Sequence, residues 1–295
     1  MPEFRYPNVT PILHDPEISN VVFNQLIELF IETISRPVSI SNTNFSHEMK
    51  NNLEVRVEHI QDYKALYLYI IEMGTMMYYK LCENFSQPIE PGWELHPNYC
   101  WFFVQEPNYF SPMHQHSNTQ TPLGPDSPCP FFECNGAIYL NTFDEEKELK
   151  YLEANSFPDI NRAPSMDAID LATMNKVQKE TSRGSLKMDF GERWNDIVQA
   201  GVGDSQLHLI PREKECVVLA NYIYHMTYPH LSDQLRISFV FNSALHVAPG
   251  RTAHNYSTMW SEPLRLNPMY AKQTFELDKD FISRCKKSVN VENDI

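Results

Sequence analysis

Residues 216–242, CVVLANYIYHMTYPHLSDQLRISFVFN, constrain the fold more than any other stretch of this chain. They hold two apolar runs of strand type: Val217, Val218 and Leu219 in the first, then Ile237, Phe239, Val240 and Phe241 in the second. A short polar segment, His230, Leu231, Ser232, Asp233 and Gln234, lies between them. That pattern predicts two antiparallel strands joined by a tight connection. The period of two places Arg236, Ser238 and Val240 on one face of their strand, with Ile237, Phe239 and Phe241 on the other. A strand that sets an arginine and a serine on one face has an anion to hold or water to meet. His225 falls where the first strand is expected to end.

A second element lies upstream, at Met113, His114, Gln115 and His116, followed by the strand-like Gly136, Ala137, Ile138, Tyr139, Leu140 and Asn141. On an extended segment the two histidines of His-x-His share a face, about 7 Å apart along the backbone. That separation allows one metal ion to be shared at about 2.0–2.2 Å from each nitrogen. Adding His225 makes a facial set with open positions, the arrangement of non-heme Fe(II) oxygenases when one ligand is a carboxylate.

The ordered set of motifs resembles the 2-oxoglutarate/Fe(II)-dependent oxygenase superfamily. In that family the distal iron-binding histidine precedes, by roughly ten residues, an arginine that grips the far carboxylate of 2-oxoglutarate, often as Arg-x-Ser. The resemblance is greatest to a microbial and phage branch. Its pattern is matched here by His114 and His116, by residues 135–140, by Pro211 and Arg212, by 217–219, by His225, and by Arg236, Ile237, Ser238 and Asn242. It covers roughly residues 96–245. It implies iron held by His114, His116 and His225, and 2-oxoglutarate anchored by Arg236 and Ser238, with O2 as the second co-substrate. The commoner family pattern has Asp or Glu where His116 stands. Either His116 replaces that carboxylate, the reading preferred here, or it lies outside the metal's ligand set and a loop carboxylate such as Asp126 completes the site. A planar guanidinium matches a carboxylate with two parallel hydrogen bonds and a lysine does not, which favours Arg236 as the anchor on chemical grounds too. Tyr139 and Asn141 share a strand face and are further candidates for contact with the co-substrate; cross-strand packing is the plainer role for both. His230 lies in the expected turn and is a weaker candidate. The remaining histidines are read as core or surface residues.

The expected fold is mainly β with flanking helices, a double-stranded β-helix (jelly roll), in one catalytic domain over 1–295. Within it, 1–95 gives helical support, 96–245 the jelly-roll core with a helical insertion at 143–203, and 246–295 a C-terminal extension. Residues 1–19 are Pro-bearing and read as an irregular lead-in. From Asn20 the apolar residues recur at helical spacing, with Ser19 or Asn20 as cap and Pro37 beyond the end. A strand is predicted at 53–60. A long helix is predicted from an Asp62 cap to about residue 85, its apolar stripe packing on a sheet. Residues 99–105 have the aromatic density of a buried strand. Residues 117–131, with Pro122, Pro125, Pro128, Pro130 and Gly124, form a loop placed to cover the metal. Helices are expected at 145–153, 166–181 and 190–199, a strand at 206–210, and a turn at 211–214. Helices are also expected at 269–275 and 278–287, with the last residues a frayed tail.

Composition sets the remaining bounds. The six cysteines show no CxxC spacing, which excludes a zinc ribbon and fits free thiols in a reducing cytoplasm. The start of the chain lacks the basic and apolar regions of a signal peptide, and no apolar run approaches the length of a membrane span, so a cytoplasmic protein with no membrane partner is expected. A net charge of −14 repels phosphate backbones, so no nucleic-acid partner is expected. The expected partner is a small-molecule or peptide substrate, with room for a homodimer. Two rival readings of the same residues are a non-catalytic cupin-like binding protein and a three-His dioxygenase that does not use 2-oxoglutarate.

Overall fold

The computed structural model describes residues 1–5, 12–40, 52–84, 94–106, 111–114, 133–141, 186–189, 206–209, 212–220, 224–227, 234–246 and 273–291. Its strands are β1 (Glu3–Arg5), β2 (Ile12–Asp15), β3 (Val38–Ile40), β4 (Asn52–Val55), β5 (Glu94–Gln105), β6 (Ser111–His114), β7 (Glu133–Tyr139), β8 (Leu186–Asp189), β9 (Gln206–Leu209), β10 (Cys216–Ala220), β11 (Tyr224–Thr227), β12 (Arg236–His246) and β13 (Gln273–Phe275). Its helices are α1 (Asn20–Ile34), α2 (Val57–Asp62), α3 (Lys64–Asn84) and α4 (Lys279–Ser288).

The pairing of β5 to β12 defines the architecture. β5 pairs with β12, β6 with β11, β7 with β10 and β8 with β9, all antiparallel. That is one long hairpin, nested four deep and rolled up. The chain alternates between two sheets as it proceeds: β5, β7, β10 and β12 lie in a seven-stranded sheet of order β1-β2-β10-β7-β12-β5-β4, and β6, β8, β9 and β11 in a four-stranded sheet of order β6-β11-β8-β9. Eight strands rolled in this way are the double-stranded β-helix, or jelly roll. The expected fold class therefore holds, and it follows from register alone.

Two tertiary features differ from the sequence expectation for 216–242. The runs at 217–219 and 237–241 do not pair with each other, because β7 lies between β10 and β12 and hydrogen-bonds to both. His225 does not close the first run either; it belongs to a separate strand, β11, in the other sheet. A rolled hairpin separates neighbouring strands of the sequence into opposite sheets, which no local pattern announces.

The helices cover one face of the seven-stranded sheet. The Ser19 hydroxyl accepts from the Val22 amide at 3.3 Å and caps α1. The buried residues Val22, Phe23, Leu26, Leu29, Phe30, Thr33 and Ile34 form a stripe at helical spacing. Phe30 meets Phe102 of β5 with ring centroids 4.9 Å apart, and Phe102 meets Phe239 of β12 at 5.1 Å. Burying a ring such as that of Phe102 contributes about 1.5–3 kcal/mol. Helix α3 lies along β5 and also touches β2, β7, β10 and β12. Ile237, Phe239 and Phe241, all fully buried, supply the sheet's share of this core.

Gly136 of β7 stands directly opposite Phe241, and a Cβ there would run into the Phe241 ring. Changing Gly136 to Ala should cost about 1–3 kcal/mol through overpacking, read as a lower urea midpoint with an unchanged m value.

Several local expectations are corrected. The irregular lead-in contains β1 and β2; Ile12 and Leu13 are fully buried, because β2 extends the large sheet beside β10. The strand expected at 53–60 ends at Val55, and a short helix, α2, takes up Val57–Asp62; the long helix expected from an Asp62 cap forms as α3, from Lys64 to Asn84. Strand β5 begins at Glu94, ahead of the strand expected at 99–105, and Pro97 is accommodated at a bulge where the register with β12 shifts between Asn242 and Ser243. The insertion at 143–203 contains β8, a strand of the rolled hairpin. Residues 273–275 form a strand against β3, not a helix. At 278–287 the helix forms as expected, with Asp278 capping it through the Phe281 amide at 2.8 Å. The tail is anchored at its start: Ser288 and Val289 are buried. The helices expected at 145–153, 166–181 and 190–199, the loop at 117–131, and Cys129 lie outside the described residues. No helix among the described residues is long and apolar enough to cross a membrane.

Candidate active site

The helix-free face of the large sheet carries the residues of interest, arranged in rows across strands. Arg236 and Ser238 share it on β12, as the period of two requires. Arg236 stands opposite Gln105 of β5, and Ser238 opposite Tyr139 of β7 on one side and Phe103 of β5 on the other. Arg236 is 1% exposed and Ser238 3%. An arginine so deeply buried on an interior strand is not a surface residue; burying a guanidinium is costly unless something compensates the charge. Its Cζ lies 5.5 Å from the centroid of the Tyr139 ring, and it donates a hydrogen bond to the Tyr139 phenol. Burial pushes the Tyr139 pKa up; the charge of Arg236 and this hydrogen bond pull in the opposite direction, and the nearby Glu215 adds to the upward shift. Tyr139 is therefore a neutral phenol at physiological pH.

The backbone on either side of Arg236 is held by four hydrogen bonds. Asn141 Nδ2 donates to the Leu235 carbonyl at 2.6 Å, and its Oδ1 accepts from the Ile237 amide at 2.9 Å. Ser288 Oγ of α4 accepts from the Leu235 amide at 3.2 Å, and the Leu140 amide donates to the Ile237 carbonyl at 2.9 Å. Arg284 of α4 makes a two-pronged pair with Glu106, one arm at 3.1 Å, which ties α4 to the end of β5. The carboxamide of Asn141 is thus committed to the β12 backbone, where it fixes the position of Arg236. Changing Asn141 to Ala leaves two buried backbone groups without partners and should cost about 2–4 kcal/mol, measurable by urea denaturation.

The two metal-ligand candidates in the described residues are brought together by the second sheet. His114 ends β6, His225 is the second residue of β11, and the two are direct Cα partners. Directly opposite positions lie on one face of a sheet with Cβ atoms about 5 Å apart. The ladder is irregular just beyond them, between His225 and Thr227. His116, Asp126 and His230 lie outside the described residues, and among the described residues no group of three or more His, Cys, Asp or Glu is placed to hold a metal ion.

Two buried polar groups of this face carry no motif. Glu215, immediately before β10, is 5% exposed; its carboxylate accepts from the Arg212 amide at 3.0 Å and lies 3.7 Å from Nε2 of His14 on β2, itself 4% exposed. The Glu215 carbonyl also accepts from the Tyr139 amide at 3.0 Å. The β10–β7 pairing brings Glu215 beside Tyr139, and β2 joining β10 brings His14 to Glu215. Among the described cysteines all five are buried free thiols. Burial pushes Cys216 and Cys285 up to about 12, which keeps both as inert thiols at neutral pH.

No family model and no curated protein matches this chain. Solved structures do. The prolyl-4-hydroxylase of Pseudomonas putida is 12% identical with a TM-score of 0.40, over 80% of this chain and 93% of that one. SnoN, a non-heme α-ketoglutarate-dependent epimerase from nogalamycin biosynthesis, is 11% identical with a TM-score of 0.45, over 84% and 88%. EvdMO1 is matched at 15% identity and a TM-score of 0.43 over 80% of this chain and 48% of that one, so the chain spans about half the length of EvdMO1. At such identities the likeness is one of fold, and the names span more than one reaction.

Proposed function

We propose that this protein is an Fe(II)- and 2-oxoglutarate-dependent dioxygenase, acting as a hydroxylase of a small molecule or a peptide side chain. The observation that carries the reading is the cross-strand register of His225 and His114 in one sheet of the rolled hairpin, with a buried Arg236 anchored on the other. The donor set fits both groups. His114 and His225, with His116 as third ligand, would hold iron through imidazole nitrogens. Arg236, with Ser238 beside it and Tyr139 above, would hold the distal carboxylate of 2-oxoglutarate, since a buried guanidinium pairs with a carboxylate through two charge-assisted hydrogen bonds. Bound together, iron and 2-oxoglutarate supply the oxidising chemistry, consuming O2 and releasing succinate and CO2. The chain's part is positional. Asn141, Ser288 and Leu140 hold the backbone around Arg236 so that the guanidinium is already in place, and Tyr139 orients it as a neutral phenol. The buried face excludes water from that carboxylate pair, which strengthens it.

The substrate we propose is not nucleic acid: the net charge of −14 disfavours phosphate binding, and no Lys/Arg cluster stands near His114 or His225 in the sequence. The soluble cytoplasmic location is part of the same proposal. Anaerobic addition of Fe(II) and 2-oxoglutarate to the purified protein is the test. A weak visible band that needs both components, together with 2-oxoglutarate-dependent O2 uptake, supports the reading. Metal-dependent O2 uptake indifferent to 2-oxoglutarate would replace it with the three-His dioxygenase. Neither band nor uptake would leave a cupin-like binding protein.

A further inference from the structure

Beyond Arg236 and Ser238, the same face of β12 continues to Val240 and Asn242, the last about 20 Å along the strand from Arg236. Asn242 stands directly opposite Asn135 of β7 on one side and Tyr99 of β5 on the other, and Asn135 stands opposite Leu219 of β10, itself opposite Ile12 of β2. This row runs from Arg5 at the β1 edge through Ile12, Leu219, Asn135 and Asn242 to Tyr99, and its charged member lies three strands from Asn135. Asn135 is 4% exposed. Its Nδ2 and the Oδ1 of Asn242 are both sealed from solvent without a hydrogen-bond partner. One row over, the Trp101 ring lies 5.0 Å from that of Tyr99, their planes 40° apart. Both rings are half-buried.

A donor and an acceptor left unmet side by side in a buried place are unusual, since most such atoms are paired. Exchanging oxygen and nitrogen in both carboxamides swaps the roles and still leaves one donor and one acceptor. Directly opposite positions put the two Cβ atoms about 5 Å apart. A peptide-type amide offers a carbonyl to the Asn135 donor and an N–H to the Asn242 acceptor, and an extended peptide presents both from one residue to the same side. Its flat, uncharged surface suits the adjoining rings. We infer that Asn135 and Asn242, with Tyr99 and Trp101, form a substrate subsite for an uncharged amide group. The inference rests on the oxygenase reading for its purpose, but its binding chemistry does not need iron or 2-oxoglutarate.

The test is therefore binding to the full chain without metal or co-substrate. The probe is N-acetylalanine N-methylamide, with myo-inositol and acetate as controls, read by saturation-transfer NMR. The amide should bind and the two controls should not. Asn135→Leu and Asn242→Leu keep the side-chain shape and remove the polar atoms; each should weaken the amide by about tenfold or more. Because each also removes a buried polar atom with no partner, the melting temperature should hold or rise. A structural role would show the reverse, a lower melting temperature with binding unchanged, and would overturn the assignment. Inositol binding in place of the amide, or no binding to the parent chain, would overturn it as well. Failure here leaves the Fe(II)/2-oxoglutarate band intact, and failure of that band leaves the amide binding intact, so the two readings fail separately.

Discussion

Changing His225 to alanine should strip the protein of most of its iron while leaving it folded. Loss of a residue that merely supports a metal ligand costs about 10–100-fold in affinity, so loss of a ligand should exceed that range. The fold should survive because β11 is held by backbone pairing to β6 and β8, which a side-chain truncation leaves alone. Metal analysis after desalting, beside a far-ultraviolet spectrum, checks both halves. A His225→Ala protein that retains one iron per chain would remove this residue from the ligand set. His114→Ala should behave alike, as its cross-strand partner. His116→Ala and His116→Asp together separate the two readings of the third position: only if His116 is a ligand should the alanine variant lose iron. If His116 is a ligand, aspartate restores the commoner two-His, one-carboxylate set and iron binding persists.

The second large effect is expected at Arg236. Arg236→Lys keeps the charge and loses the planar fork, so apparent affinity for 2-oxoglutarate should fall by roughly ten- to a hundredfold, the equivalent of about 1.5–3 kcal/mol. The structure gives this substitution more weight than an exposed arginine would have. At 1% exposure little water is available to replace the missing hydrogen bonds, and a lysine nitrogen does not reproduce the contact with the Tyr139 ring. Titration of 2-oxoglutarate under anaerobic conditions, monitored by the metal-dependent band, measures it. An unchanged midpoint would assign the anchor to another residue.

Glu215 and His14 bear on how that anchor behaves. A carboxylate within electrostatic range of Tyr139, held by the Arg212 amide, places a negative charge on the same face as the buried guanidinium. Such an arrangement moderates the cost of burying Arg236 in the protein before any anion arrives. It also explains why β2 joins the sheet through a histidine and an aspartate that are both buried: Asp15 accepts from the Tyr69 hydroxyl of α3 at 2.9 Å and so fixes the strand that carries His14.

What the amino-acid order determined by itself is local and chemical. Period-two alternation placed Arg236 and Ser238 on one face of β12, and the side chains obey it because a pleated strand leaves them no choice. Helical spacing set α1 between a Ser19 or Asn20 cap and Pro37, and the helix expected at 278–287 matches α4 to within one residue at each end. The ordered motifs, from His114 to Arg236, pointed to the jelly roll and to a metal and a carboxylate as its ligands. Tertiary structure decided which strands meet. Residues 217–219 and 237–241 look like a hairpin from their spacing, yet the pairing energy goes to β7 between them, whose sequence is nearly a hundred residues distant from β12. Strands β1 and β2 were invisible because prolines nearby mark irregular chain, while the burial of Ile12 and Leu13 depends on a neighbour, β10, that composition does not reveal. Strand β8 was hidden in the same way inside a polar insertion. The position of Asn135 opposite Asn242 is of this kind as well. Neither asparagine has a motif, and their proximity exists only because a rolled hairpin sets β7 against β12 in one register and no other.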